Sequence, residues 1–116
     1  MASQRWVGNQ AFDHVVQKII IEMQQSALSC ELVNKTSHHL GDVDIAFLTF
    51  EKYYLRNSSR TSLSVLVVGE ANAIKVDAAS SGGGEKLLFK FDWGSSSNFI
   101  GQLNRILISL GFRTVS

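Results

Sequence analysis

Ser80-Ser81-Gly82-Gly83-Gly84-Glu85 separates two runs that alternate in polarity, Ala73-Ile74-Lys75-Val76-Asp77-Ala78-Ala79 before it and Lys86-Leu87-Leu88-Phe89-Lys90-Phe91 after it. Three glycines in a row invite comparison with a phosphate-cradling loop. Such a loop ends in a Lys-Ser or Lys-Thr pair and opens a helix whose N-terminus faces the phosphate. Here Glu85 follows the glycines, and its negative charge stands where a phosphate would sit. Alternation with a period of two is the pattern of a half-buried strand. Glycine also accepts the positive φ that tight and bulged hairpins require. The tract is therefore expected to be an exposed hairpin connection between antiparallel strands, with no bound phosphate.

The same period continues upstream. Ser62 to Val68 is rich in strand formers, and Gly69-Glu70-Ala71-Asn72 makes a tight turn into Ala73. The long run from Val43 to Tyr54 puts Val43, Ile45, Phe47, Thr49, Glu51 and Tyr53 on one face. Asp44, Ala46, Leu48, Phe50, Lys52 and Tyr54 take the other. Both faces are apolar in the middle, whereas a sheet with one wet side keeps one face polar. Leu28, Cys30 and Leu32 alternate with Ser29 and Glu31 as a further strand, and His38 to Asp42 reads as the turn or loop after it. Residues 4–8 read as a short strand around Trp6.

Two segments switch to helical spacing. Phe12, Val15, Val16, Ile19, Ile20 and Met23 form one apolar stripe, with Asn9 as the expected N-cap. Phe99, Ile100, Leu103, Ile106, Leu107 and Leu110 form a second, near the C-terminus. Gly111 stands where a left-handed C′ residue is expected, and Phe112 is placed to make the apolar contact of that stop. Two one-sided helices need a surface to bury their stripes. The predicted architecture is an α+β fold in a single domain spanning 1–116, ordered β-α-β-β-β-β-β-α. It has two layers, a curved antiparallel sheet of about five to six strands with both helices on its concave face.

Composition narrows the function classes. The chain has 116 residues, 45% of them hydrophobic, and a formal net charge of +1. A near-neutral chain has no global field to recruit nucleic acid or an anionic membrane. No apolar run approaches the ~20 residues that span a bilayer, and the N-terminus lacks a signal-peptide core, so the expected compartment is the cytoplasm. Cys30 is the single cysteine, which excludes an internal disulfide, and its apolar neighbours predict burial. Proline is absent, so Gly, Asn and Ser punctuate the chain.

Gly41-Asp42-Val43, Phe50-Glu51-Lys52-Tyr53-Tyr54, Ser62-Leu63-Ser64-Val65, Ala78-Ala79-Ser80-Ser81-Gly82-Gly83 and Leu88-Phe89-Lys90 together resemble a small bacterial family known only as a domain of unknown function. The likeness covers most of the chain. It implies a bacterial, single-domain α+β protein and assigns no catalytic or binding residue.

Chemistry-bearing motifs are sparse. There is no Gly-x-Ser-x-Gly elbow, no His-Glu-x-x-His and no Cys-x-x-Cys. His38, His39, Asp42 and Asp44 have metal-ligand chemistry; adjacent histidines point apart in a strand and can converge in a loop, and no metal ligand and no cofactor is assigned. Lys52, Arg56 and Arg60 beside Tyr53 and Tyr54 have the composition of a single-strand nucleic-acid platform. A solvated charged loop explains them equally, and no nucleic-acid partner is expected.

Three functional expectations follow. The first is a non-catalytic interaction module that self-associates as a homodimer, through a sheet face carrying Leu48, Phe50, Leu66 and Val68. The second is a small apolar ligand held between sheet and C-terminal helix, lined by Phe89, Phe91, Trp93, Phe99 and Leu103. The third is a metal-dependent enzyme using the His38/His39 segment.

Overall fold

The structure is a computed structural model and describes residues 2–26, 30–54, 59–82 and 99–115. The elements are β1 (Ala2–Gly8), α1 (Phe12–Gln25), β2 (Cys30–Leu40), β3 (Val43–Tyr54), β4 (Ser59–Glu70), β5 (Ala73–Gly82), α2 (Phe99–Ser109) and β6 (Arg113–Val115). Among the described residues all strands join one antiparallel six-stranded sheet in the order β2-β3-β4-β5-β1-β6. The architecture is α+β, as the alternation and the two stripes predict.

The strand period decides which side chains form the core. On β3 Ala46, Leu48 and Phe50 are buried, on β4 Leu63, Val65 and Val67, and on β5 Ile74, Val76 and Ala78. They meet Val15, Val16, Ile19 and Met23 of α1 and Phe99, Ile100, Leu103, Ile106 and Leu107 of α2 in one cluster. Both helices thus cover one face of the sheet. Gly69 lets α1 approach closely, because a Cβ there would stand 2.8 Å from Phe12 Cδ1.

Five local expectations are corrected. Strand β5 continues through Ser80 to Gly82, and the rest of the glycine tract with Lys86–Phe91 lies outside the described residues. The neighbours of β5 are β4 and the N-terminal β1, which pairs with it from Ala2↔Ser80 to Gly8↔Ile74. A short strand, β6, follows α2 and pairs with Arg5–Val7. Three residues with one apolar side chain carry too little period to announce a strand. His38, His39 and Leu40 belong to β2, and only Gly41 and Asp42 turn the chain into β3. Helix α1 begins after Ala11, which is extended and makes no side-chain cap, so Asn9 does not cap it. Asp13 complements the dipole in the first turn instead.

The end of α2 follows the sequence closely. Gly111 has φ +91°, its N–H donates to Ile108 O at 3.0 Å, and Phe112 N–H donates to Leu107 O at 2.9 Å. These are the two bonds of a Schellman stop. Phe112 then packs over Gly8, where a Cβ would come within 2.7 Å of its ring. The buried Trp6 indole donates to Asn104 Oδ1 at 2.8 Å, tying β1 to α2.

Left-handed backbone gives a paired stability test. Ala71, the first turn residue after β4, has φ +52°, a conformation unfavourable to a side chain. Ala71→Gly is expected to raise unfolding stability by about 0.5 kcal/mol, the relieved strain exceeding the added chain entropy. Gly111→Ala is expected to lower it by about 1 kcal/mol. Urea denaturation of both variants measures the difference, and equal shifts would contradict the assignment.

Candidate interaction surface

Since both helices lie on one face, the other face carries the opposite phase of every strand. Its centre is a cross-strand quartet in which Ile45 stands opposite Val68 and Phe47 opposite Leu66. Phe47 is 40% exposed, while Ile45, Leu66 and Val68 are half-buried by their neighbours. Paired apolar side chains on adjacent strands supply mutual contact but do not remove the patch from water.

Charges surround the quartet. Arg5 grips Asp77 across β1 and β5, with Nε donating to Oδ1 at 2.6 Å and Nη2 to Oδ2 at 3.1 Å. Arg60 Nη1 donates to Glu51 Oε1 at 2.8 Å, and its guanidinium lies 5.9 Å from the centre of the Tyr53 ring. Lys75 is exposed next to Val68 and has no ion-pair partner among the described residues. An open groove of about 1050 Å³ runs from Phe47, Leu66 and Asp77 past Arg5 and Val115 towards Asn104 and Ile108.

The four expected interface residues divide between the two faces. Leu66 and Val68 lie on the open face, but Leu48 and Phe50 are fully buried under the helices. Period two alone fixes which residues share a face, not which face the helices take. The open-face residues of β3 are Ile45 and Phe47, placed beside Val68 and Leu66 by the antiparallel register. Of the expected ligand-lining set, Phe99 and Leu103 are fully buried in the core, and Phe89, Phe91 and Trp93 lie outside the described residues.

The histidines also separate. His39 Nδ1 bonds to Asp44 Oδ1, whereas His38 pairs with Ile45 on the open face. Among the described residues no group of three or more His, Cys, Asp or Glu side chains converges. The basic-aromatic set splits as well, because Lys52 points to the helix side and Arg60 to the open side.

Lys52 is the residue whose setting the sequence did not signal. It is only 4% exposed. Its Nζ donates to Gln102 Oε1 at 2.9 Å and lies 5.0 Å from the centre of the Phe99 ring. Cys30 stands opposite it on β2. Burial pushes the Lys52 ammonium below its ordinary range, and the Cys30 thiolate charge opposes that shift. Burial pushes the Cys30 thiol up, against the pull of Lys52 and a hydrogen bond with Ser26. Burial thus disfavours the thiolate, the form a nucleophile needs. Thr61 and Ser80 are buried on the same face of the sheet, and Ser80 Oγ has no hydrogen-bond partner among the described residues.

This chain belongs to the family of unknown function DUF6054, which matches residues 1–111. Membership agrees with the resemblance carried by the strand motifs and covers every element except the last strand. No curated protein matches the chain. Among the described residues no helix is long and apolar enough to cross a membrane.

The buried pair predicts opposed alkaline titrations. A lysine depressed by burial holds its proton less tightly when folded, so its contribution rises with pH up to the ordinary value of 10.5. A thiol raised by burial contributes stability below its ordinary value of 9.0 and loses it as pH climbs through the folded value. Urea unfolding across this window is expected to show only the fall in Lys52→Met and only the rise in Cys30→Ala. A Lys52→Met curve parallel to that of the parent would contradict the account.

Proposed function

We propose that this protein is a non-catalytic interaction module that self-associates as a homodimer through the open face of its sheet. The observation carrying this reading is the Ile45–Val68 and Phe47–Leu66 quartet at the centre of a face that neither helix covers. Burying such a patch against a second sheet removes it from water in the way two-sheet sandwiches do.

The sheet edges favour the face over strand addition. The register shift around Val33 bulges β2, and Lys35 projects from that edge strand. The opposite edge is β6, only 3 residues long. Bulges, lysines and very short edge strands discourage edge-to-edge pairing. The face is also large enough. Five strand spacings make it roughly 24 Å wide, and twelve-residue strands make it roughly 37 Å long. A standard interface needs about 800 Å² from each partner.

A small apolar ligand is the second reading, and the groove of about 1050 Å³ on this face favours it. The groove combines Phe47, Leu66, Ala79 and Val115 with a polar rim of Ser3, Arg5 and Asp77. Its volume is of the order of known ligand sites. It runs from the open face round the sheet edge to Asn104 and Ile108 of α2, whereas the expected cavity lay between sheet and helix.

Sedimentation at micromolar concentration tests the proposal. The parent protein is expected to be a dimer, and Phe47→Glu a monomer with an unchanged far-ultraviolet circular dichroism spectrum. Dimerisation constants should differ by about a hundredfold or more, the usual effect of placing a charge in an interface centre. A monomeric parent would remove the self-association reading. A co-purified apolar molecule in its native mass spectrum would then support the second.

A further inference from the structure

The open face has a register that specifies how a second copy would lie on it. One row across the sheet runs His38, Ile45, Val68, Lys75, Val7, Arg113. The next row runs Thr36, Phe47, Leu66, Asp77, Arg5, Val115. The rows are about 7 Å apart, two residues along each strand. Between them lies a midline with Ile45, Val68 and Lys75 on one side and Phe47, Leu66 and Asp77 on the other.

Resting on the self-association proposed above, we infer that the dimer axis runs across the strands along this midline. A two-fold axis there sets each row over the other row of the second copy. Ile45 meets Phe47 of the second copy, Val68 meets Leu66, and Lys75 meets Asp77. Each contact occurs twice, as an isologous interface requires. Asp77 already accepts one bond from Arg5 on each carboxylate oxygen. Each oxygen retains a free lone pair for the incoming ammonium.

The charges select this axis over its alternative. A two-fold axis along the strands, between β3 and β4, would set Lys75 over His38 and Asp77 over Thr36. That arrangement forms no ion pair for Lys75 or Asp77. The cross-strand axis gives Lys75, which lacks an ion-pair partner among the described residues, an opposite charge in each copy. Complementary charge at the border of an apolar patch fixes register more than it adds affinity.

Charge reversal and mixing test the axis. Lys75→Asp sets acid against acid twice, and Asp77→Lys sets base against base twice. Each variant alone is expected to dimerise about tenfold or more weakly than the parent. An equimolar mixture is expected to recover dimer, because both facing pairs become attractive again. The double variant Arg5→Glu, Asp77→Lys retains an ion pair within the chain and should give the same result, so an unfolded Asp77→Lys does not obscure the answer. A parent that dimerises while the mixture does not recover would overturn the axis and leave the face standing. A parent that remains monomeric would overturn both.

Discussion

The two described helices cover one face of the six described strands. Helices α1 and α2 bury Leu63, Val65 and Val67 of β4 completely, and nothing among the described residues does the same for Leu66 and Val68 one phase away. The sequence places apolar residues on both phases of β3 and β4, so the sheet holds apolar surface that neither described helix covers. Hydrophobic stabilisation scales with the area removed from water, at roughly 25 cal/mol per Å². On the proposed reading the quartet, which no other described residue covers, is a reserve of association energy. The functional reading rests on that imbalance.

The helical layer depends on contacts between the two ends of the chain. β1 lies between β5 and β6, although β6 ends the described chain. Trp6 reaches Asn104 across 98 positions of sequence, and Phe112 closes over Gly8. The buried indole N–H is satisfied by Asn104, which avoids the desolvation loss of an unpaired donor. These links seat α2 over β1 and β5, and α2 brings Gln102 over Lys52. The same closure leaves Ala2–Gln4 beyond the reach of β6, where the groove turns round the sheet edge.

Local chemistry was legible where one residue carries one signal. The apolar stripe from Phe12 to Met23, the Gly111 stop with Phe112 behind it, and the alternation of β3, β4 and β5 are all local. Strand pairing was less so, since sequence neighbours were expected to pair and β5 instead took β1 as its second neighbour. That choice depends on contacts between the chain ends, which no short window contains. The division of Leu48 and Phe50 from Leu66 and Val68 was hidden for a similar reason. Alternation gives two faces, and the helices choose one by packing. The burial of Lys52 was obscured by the charged residues and tyrosines near it in sequence, because its partner Gln102 lies 50 positions away.

The most direct test is methyl-resolved solvent paramagnetic relaxation across a dilution series. At concentrations where the dimer forms, the methyl groups of Ile45, Leu66 and Val68 should be shielded from a soluble paramagnet. They should become accessible together on dilution. Ile21, exposed on the helical side, should be relaxed equally throughout. Accessible Ile45, Leu66 and Val68 methyls at every concentration would contradict burial of this face by a second copy.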